Sequence, residues 1–271
     1  MSGTELLLLM VSVSMAILLV ATLMKSRQLY LQRQLIALDP LGNIFAAQHF
    51  KIEDSRNHGS KRIIVLGDSR AMSWTSPALG PDVAFVNRGI WGMTSAQVLA
   101  RVDTDVLADD AAAVLLQVGV NDLKMVPLMP GSAEIIVNQC IENIREIVGR
   151  CIANDVWVLL TTIFPVGTRP IWRRVYCAEK MSGAIRRVNA SLLRLESERV
   201  TILDAYRMLS NGNGSVKREY QDGFVHVNAR AYQELNESLV RMVSLKDWSR
   251  HLSHHSTKDL AGRNPSVKAP V

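Results

Sequence analysis

A serine and a histidine occupy positions in the sequence where they could act as nucleophile and base. Ser69 follows the apolar run Arg62–Leu66 and the short segment Gly67-Asp68, so it would stand at the start of a helix, where a serine can also serve simply as a cap. His226 is the only histidine between residues 61 and 248, so a histidine base in this part of the chain must be His226. A neutral imidazole in that role takes the proton of the serine hydroxyl.

Two further positions could bind a negatively charged oxygen. Gly92 lies in the segment Asn87–Ser95, and a glycine after a strand can bring a bare backbone N–H close to a ligand. Asn121 lies in Gly119–Asp122, and its side-chain amide could donate a hydrogen bond to an oxyanion. Each position also has an ordinary structural explanation, a turn for Gly92 and an Asx-turn for Asn121.

The elements that must position these residues are short apolar runs that alternate with longer amphipathic stretches. We expect strands at Arg62–Leu66, Val83–Asn87, Ala113–Val118, Val156–Thr162 and Val200–Leu203. We expect helices near Thr94–Leu107, Ala133–Asn154, Glu179–Glu198 and Ala229–Val243. The alternation predicts an α/β fold with a parallel sheet covered on both faces. In such sheets ligands bind beyond the carboxyl ends of the strands, which is where the candidate residues fall.

An uncharged apolar run, Leu6–Met24, stands near the start of the chain and is long enough to cross a membrane as a helix. Glu5 precedes it without a basic residue, and no convincing cleavage site follows, so we expect a retained anchor rather than a cleaved signal. Lys25 and Arg27 follow the run, and the positive-inside tendency weakly places that flank in the cytoplasm.

The sequence therefore divides into four predicted parts. Residues 1–25 would form the transmembrane anchor, and residues 26–60 a juxtamembrane linker. Residues 61–247 would form the globular domain, and residues 248–271 a disordered polar tail.

Composition excludes some classes of function. The net charge is +6 with a pI near 9.4, but the basic residues are scattered, so we expect no nucleic-acid partner. The three cysteines, Cys140, Cys151 and Cys177, have no CxxC spacing, which excludes a zinc knuckle and makes a disulfide framework unexpected. We expect them to be small buried apolar side chains.

Taken in order and spacing, these segments resemble the four blocks of the SGNH/GDSL hydrolase superfamily. The matching segments are Gly67-Asp68-Ser69 for the nucleophile block, Asn87–Ser95 for the glycine block, Gly119–Asp122 for the asparagine block, and Asp222 with His226 for the aspartate–histidine block. The resemblance covers residues 61–245. It implies a three-layer α/β/α sandwich with a central five-stranded parallel sheet of flavodoxin-like order, preceded here by one transmembrane helix.

The resemblance also implies a mechanism. Ser69 would attack an ester carbonyl with His226 as its base, Asp222 would orient the imidazole, and an acyl-enzyme would form. The backbone N–H groups of Ser69 and Gly92 and the amide of Asn121 would hold the oxyanion. The implied chemistry requires no metal and no organic cofactor.

Two positions depart from the family pattern. Arg70 stands where the family usually has leucine, and we expect no chemical consequence because the position is not part of the implied mechanism. Three residues separate Asp222 from His226, where the family usually has two. A one-residue bulge could restore the contact, and otherwise the site would work as a Ser69–His226 dyad.

The substrate is less well defined by the sequence. Arg169, Trp172 and Arg173 follow the fourth predicted strand, and arginine binds anions while tryptophan stacks on sugars, so these residues are candidates for binding a glycan or a lipid ester. Two alternatives use the same features, an O-acyltransferase and a catalytically degenerate, membrane-tethered binding module. Anchored hydrolases of this type often face outward, so the membrane side stays open.

Overall fold

The predicted strands assemble into one parallel sheet. A computed structural model describes residues 2–38, 40, 61–80, 83–109, 111–167 and 171–245. The strands are β1 (Lys61–Gly67), β2 (Val83–Asn87), β3 (Ala113–Gln117), β4 (Trp157–Thr161) and β5 (Val200–Leu203). They pair in parallel in the order β2-β1-β3-β4-β5. The α/β fold with five parallel strands is confirmed.

Helices and turns occupy the connections between the strands. The helices are α1 (Gly3–Leu38), α2 (Ser69–Met72), α3 (Ser95–Leu99), α4 (Val120–Leu123), α5 (Ala133–Ala153), α6 (Ile171–Leu192), α7 (Ala205–Leu209) and α8 (Ala229–Leu245). The chain also forms 3-10 turns at Pro130–Ser132, Leu193–Leu195 and Arg218–Tyr220, a π-helical turn at Asp103–Leu107, and an antiparallel ribbon of β6 (Gln221–Asp222) and β7 (His226–Val227).

Each face of the sheet is buried by helices. Alternate residues of β1 enter two different apolar clusters, with Ile64 in one and Val65 in the other. The first cluster includes Ile144 of α5 and Ile185 of α6, and the second includes Leu235 of α8. Because both faces are covered, the strands are continuous apolar runs rather than alternating ones.

Two predicted helices differ from the structure. In place of the single helix expected at Thr94–Leu107, the chain forms α3 and then the π-helical turn. The Ala108 N–H donates to the Asp103 carbonyl and closes this turn. The helix expected at Glu179–Glu198 starts earlier, at Ile171, directly after Pro170 in the sequence. The stretch that follows β4 is therefore helical over part of its length.

The turn that carries Ser69 depends on a close backbone approach. A Cβ atom at Gly67 would lie 1.8 Å from the carbonyl oxygen of Gln117 in β3, so no side chain fits there. Asp68 then caps α2 by accepting a hydrogen bond from the Arg70 N–H at 2.8 Å. The sheet and this cap together place Ser69 at the carboxyl end of β1.

The N-terminal helix belongs to a separate unit. The chain divides into a unit of Met1–Phe45 and a unit of Ala46–Val271. Within α1, the segment Gly3–Leu31 contains an 18-residue stretch with a mean hydropathy of 2.7 and has exposed side chains. Its length and composition are sufficient to cross a membrane, as those of a signal sequence also are. The predicted linker beyond residue 40 and the predicted tail from residue 248 lie outside the described residues.

The cysteine prediction is confirmed for the described side chains. Cys140 and Cys151 are buried free thiols, and burial raises the pKa of each well above its usual range. The side chain of Cys177 lies outside the described residues.

If α1 remains in the membrane, carbonate washing at high pH should leave the full-length protein in the pellet. A matched variant with Ile17→Lys and Leu18→Lys should be released, because each lysine at the centre of a spanning helix costs about 3 kcal/mol. Immunoblots of pellet and supernatant measure both. Wild-type protein found in the supernatant would contradict a spanning helix.

Candidate active site

Ser69 and His226 meet at the carboxyl edge of the sheet. Ser69 is the first residue of α2 and is almost fully buried, and His226 is the first residue of β7. The Ser69 Oγ lies 3.0 Å from the His226 Nε2, within hydrogen-bond distance. A hydroxyl in this contact can give its proton to a neutral imidazole, which is the arrangement required of a nucleophile and its general base.

The environment of His226 favours the neutral imidazole. Burial lowers its pKa, the positive charge of Arg70 lowers it further, and the carboxylate of Asp222 raises it by a smaller amount. The pKa of His226 therefore lies below its usual value of 6.5, and the ring can accept a proton at neutral and mildly acidic pH.

The three residues between Asp222 and His226 form the turn of the β6–β7 ribbon. Gly223 in this turn has a φ of 75°, in the left-handed region that glycine adopts without strain. The turn places Asp222 directly opposite His226 in the antiparallel register. However, within the residues that the structure describes, the exposed Asp222 carboxylate makes no hydrogen bond to the imidazole. The role of Asp222 in orienting His226 therefore stays a prediction.

Asn121 joins the two segments predicted to hold an oxyanion. It lies in α4, after β3, and its Nδ2 donates to the Met93 carbonyl at 2.8 Å, next to Gly92. Its Oδ1 accepts a hydrogen bond from the Lys124 ammonium at 2.8 Å, which orients the amide. An amide nitrogen carries two hydrogens, so the second remains for a ligand. Gly92 has a φ of 80°, which a glycine adopts readily.

A second set of hydrogen bonds links the Gly119–Asp122 segment to the glycine loop, Asn87–Ser95, and the sequence did not predict it. The Asp122 carboxylate accepts hydrogen bonds from the Ser95 N–H at 2.9 Å and the Ser95 Oγ at 2.7 Å. Asn143 of α5 donates to the same Ser95 Oγ at 2.9 Å. Burial raises the pKa of Asp122, although the bonds from Ser95 oppose the shift. The Gly119–Asp122 segment therefore holds the glycine loop through both of its polar side chains.

Arg70 is the second residue that sequence reasoning passed over. Its side chain is fully buried beside Ser69. The guanidinium donates to the carbonyls of Val225, Phe164 and Pro165. The only sequence signal was the departure from leucine, and the sequence did not predict these three structural hydrogen bonds beside the site.

The predicted substrate residues are not described by the structure, and the described cavity does not include the candidate nucleophile or base. Arg169 and the side chains of Trp172 and Arg173 lie outside the described residues. A cavity of about 490 Å³ lies between α8 and the segment 75–78, without Ser69 or His226 in its lining. Among the side chains that the structure describes, no three His, Cys, Asp or Glu residues form a group suited to a metal ion.

Exposed apolar side chains stand at two loops of this edge. Trp91, next to Gly92, is 70% exposed, and Met72, at the end of α2, is 48% exposed. The two loops touch, because a Cβ atom at Gly89 would lie 2.2 Å from the Met72 backbone nitrogen. These two exposed side chains lie close enough to the candidate site to contact a ligand bound there.

Comparison with known proteins finds one matching family and several solved structures of similar fold. A family model described as GDSL-like lipase/acylhydrolase matches residues 60–234. No curated protein sequence matches the chain significantly.

Solved structures share the fold at low sequence identity. A GDSL-like lipase from Bacteroides thetaiotaomicron is 19% identical, covering 73% of this chain and 97% of its own, with a TM-score of 0.56. A protein from Streptococcus pneumonia is 18% identical, covering 80% and 99%, with a TM-score of 0.64. A lipase from a goat rumen metagenome is 16% identical, covering 71% and 100%, with a TM-score of 0.54.

If Asn121 donates to the oxyanion, Asn121→Ala should lower kcat for a soluble ester by about 100- to 1000-fold with little change in KM. The matched control is Asn143→Ala, which removes a buried amide that donates a hydrogen bond to Ser95. Unlike Asn121, Asn143 makes no described hydrogen bond to Met93 or Gly92. Steady-state kinetics and thermal unfolding measure both variants. Equal losses of activity in the two would leave Asn121 with a structural role only.

Proposed function

The chain belongs to the GDSL-like lipase/acylhydrolase family and is an ester-hydrolysing enzyme, and on this premise we propose that it works through an acyl-enzyme on Ser69. His226 serves as the general base, and the substrate is a carboxylic ester of a glycan or a lipid. The observation that carries the proposal is the 3.0 Å contact between Ser69 Oγ and His226 Nε2.

The first half of the reaction transfers the acyl group to the enzyme. The Ser69 oxygen bonds to the ester carbonyl carbon while the hydroxyl proton passes to His226 Nε2. The carbonyl oxygen becomes an oxyanion, and the Ser69 and Gly92 N–H groups with the Asn121 amide stabilise it. The bond to the alcohol then breaks, and the alcohol leaves with the proton from the imidazolium.

The second half returns the enzyme to its starting state. His226 is neutral again and takes a proton from water, whose oxygen bonds to the acyl carbon. The same oxyanion donors act on the second tetrahedral intermediate, and the acid leaves as Ser69 regains its proton. Since this cycle needs an unprotonated Nε2, the lowered pKa of His226 supports activity below pH 6.5.

The surroundings of the site support a substrate with an apolar or stacking portion. Trp91 and Met72 stand exposed on adjoining loops, one beside Gly92 and the other one turn after Ser69. An indole ring and a flexible thioether can contact either an acyl chain or the face of a sugar. The apolar helix α1 supports retention of the enzyme at a membrane, where lipid esters are accessible.

A fluorophosphonate probe tests the nucleophile and base together, because only an activated serine reacts with it at an appreciable rate. We expect the wild type to be labelled at Ser69 and Ser69→Ala to be unlabelled. His226→Ala should react about 100- to 10,000-fold more slowly, because the hydroxyl loses its base. In-gel fluorescence and peptide mass spectrometry measure rate and position.

The matched control is Ser73→Ala, which removes an exposed hydroxyl at the other end of α2 and should leave labelling intact. Labelling that persists in Ser69→Ala, or its absence from folded wild type, would overturn the proposed mechanism.

A further inference from the structure

We propose that Arg70 is the positioning residue for His226, holding the histidine-bearing ribbon against the nucleophile and performing the task that the family resemblance assigns to Asp222. This inference rests on the proposed role of His226 as the base. It concerns a position that the family resemblance leaves without a chemical role.

The contacts of Arg70 link the segments that must stay in register. Its Nε donates to the Val225 carbonyl at 2.6 Å, and Val225 directly precedes His226. Its Nη1 and Nη2 donate to the carbonyls of Phe164 and Pro165 at 3.1 and 3.3 Å. Because Arg70 also follows Ser69 in α2, one side chain ties the backbone next to the base to the backbone next to the nucleophile.

Only a guanidinium can make this set of bonds. It presents its N–H donors in a rigid plane, so three carbonyls at different angles can be bound at once. The Phe164 ring lies 5.1 Å from the guanidinium carbon, and Tyr232 of α8 donates its hydroxyl proton to the Arg70 carbonyl at 2.9 Å. The arginine is thus fixed at both its side chain and its backbone, which gives the ribbon a rigid support.

Asp222 is poorly placed to do the same work. It is exposed and lies across the ribbon from His226, without a hydrogen bond to the ring among the described residues. It belongs to the same small ribbon as His226, so it moves with the histidine. Arg70 belongs to α2 and fixes the ribbon from outside.

The charged groups around the imidazole act in opposite directions. Arg70 from α2 lowers the pKa of His226, and Asp222 from β6 raises it. Asp68, buried next to Arg70, has a pKa raised to about 6 by burial, so it titrates in the same pH range. The pKa of Tyr232, which also faces Arg70, is raised by burial, so Tyr232 stays neutral there. Loss of the Arg70 charge should therefore raise the pKa of His226, whereas loss of the Asp222 charge should lower it.

The test measures the rate of fluorophosphonate labelling of the full-length protein across pH, because this rate reports the free enzyme's base without requiring the natural ester. Arg70→Gln should react about 100-fold more slowly, since misplacement of a reacting group by about 1 Å costs that much, and its acid limb should move to higher pH. Arg70→Lys keeps the positive charge but loses the planar set of N–H donors. Its labelling rate should therefore fall, while the acid limb of its pH profile stays in place.

The matched control is Arg101→Gln, which removes another fully buried guanidinium, one that donates to the Arg88 carbonyl and pairs with Asp105. It should lower the unfolding temperature but leave the acid limb of the labelling rate in place, because Arg101 is not among the groups that shift the pKa of His226. Arg70→Gln with the wild-type rate and acid limb, or Arg101→Gln with the same changes as Arg70→Gln, would overturn the proposal.

Asp222→Asn extends the test to a surface position, in case the buried variants do not fold. Its acid limb should move to lower pH, and its rate should fall far less than that of His226→Ala. A fall as large as that of His226→Ala would assign the positioning to Asp222 and overturn the role of Arg70. Wild-type protein that is not labelled at all would instead refute the underlying esterase mechanism.

Discussion

The hydrogen-bond contact between Ser69 and His226 is the constraint that the rest of the globular unit must satisfy. The two residues are 157 positions apart in the chain, yet their side chains approach to 3.0 Å. Ser69 directly follows β1 and His226 precedes α8, so the fold must bring together two segments from opposite ends of the globular unit. The parallel sheet solves this problem because the strands end at one edge and their loops converge there.

Two buried charged residues beside Ser69, Asp68 and Arg70, do not favour folding at neutral pH. Burial raises the pKa of Asp68 to about 6 and lowers that of Arg70 to about 10. A carboxyl whose pKa is raised by folding stabilises the fold at low pH, and this contribution is lost as the pH rises through about 6. An arginine whose pKa is lowered stabilises the fold only at high pH, and this contribution is lost as the pH falls through about 10.

Both charged groups therefore oppose folding near pH 7, where each must be kept ionised in a buried place. Apolar residues of similar volume are often less costly than arginine at a buried position. Retention of such groups is typical of sites where position and charge serve function, and it agrees with a role for Arg70 beside the base.

The sequence predicted those features that depend on pattern and order. Strands showed as apolar runs. Ser69, Gly92, Asn121 and His226 were chosen by residue type and by their resemblance, in order, to the four family blocks, and their roles stay predictions. The sequence could not show hydrogen bonds between segments that are distant in the chain, such as the one from Arg70 to the Val225 carbonyl. The early start of α6 was missed, because the helix was expected only near Glu179. The roles of Arg169, Trp172 and Arg173 stay predictions.

The most direct measurement of the central claim is mass spectrometry of the protein quenched in acid within milliseconds of mixing with 4-nitrophenyl acetate. If the reaction passes through an acyl-enzyme, the peptide that contains Ser69 gains one acetyl group, and the gain disappears as the ester is exhausted. Turnover of the ester without any acetylated Ser69 peptide, or with the acetyl group on another residue, would contradict the account.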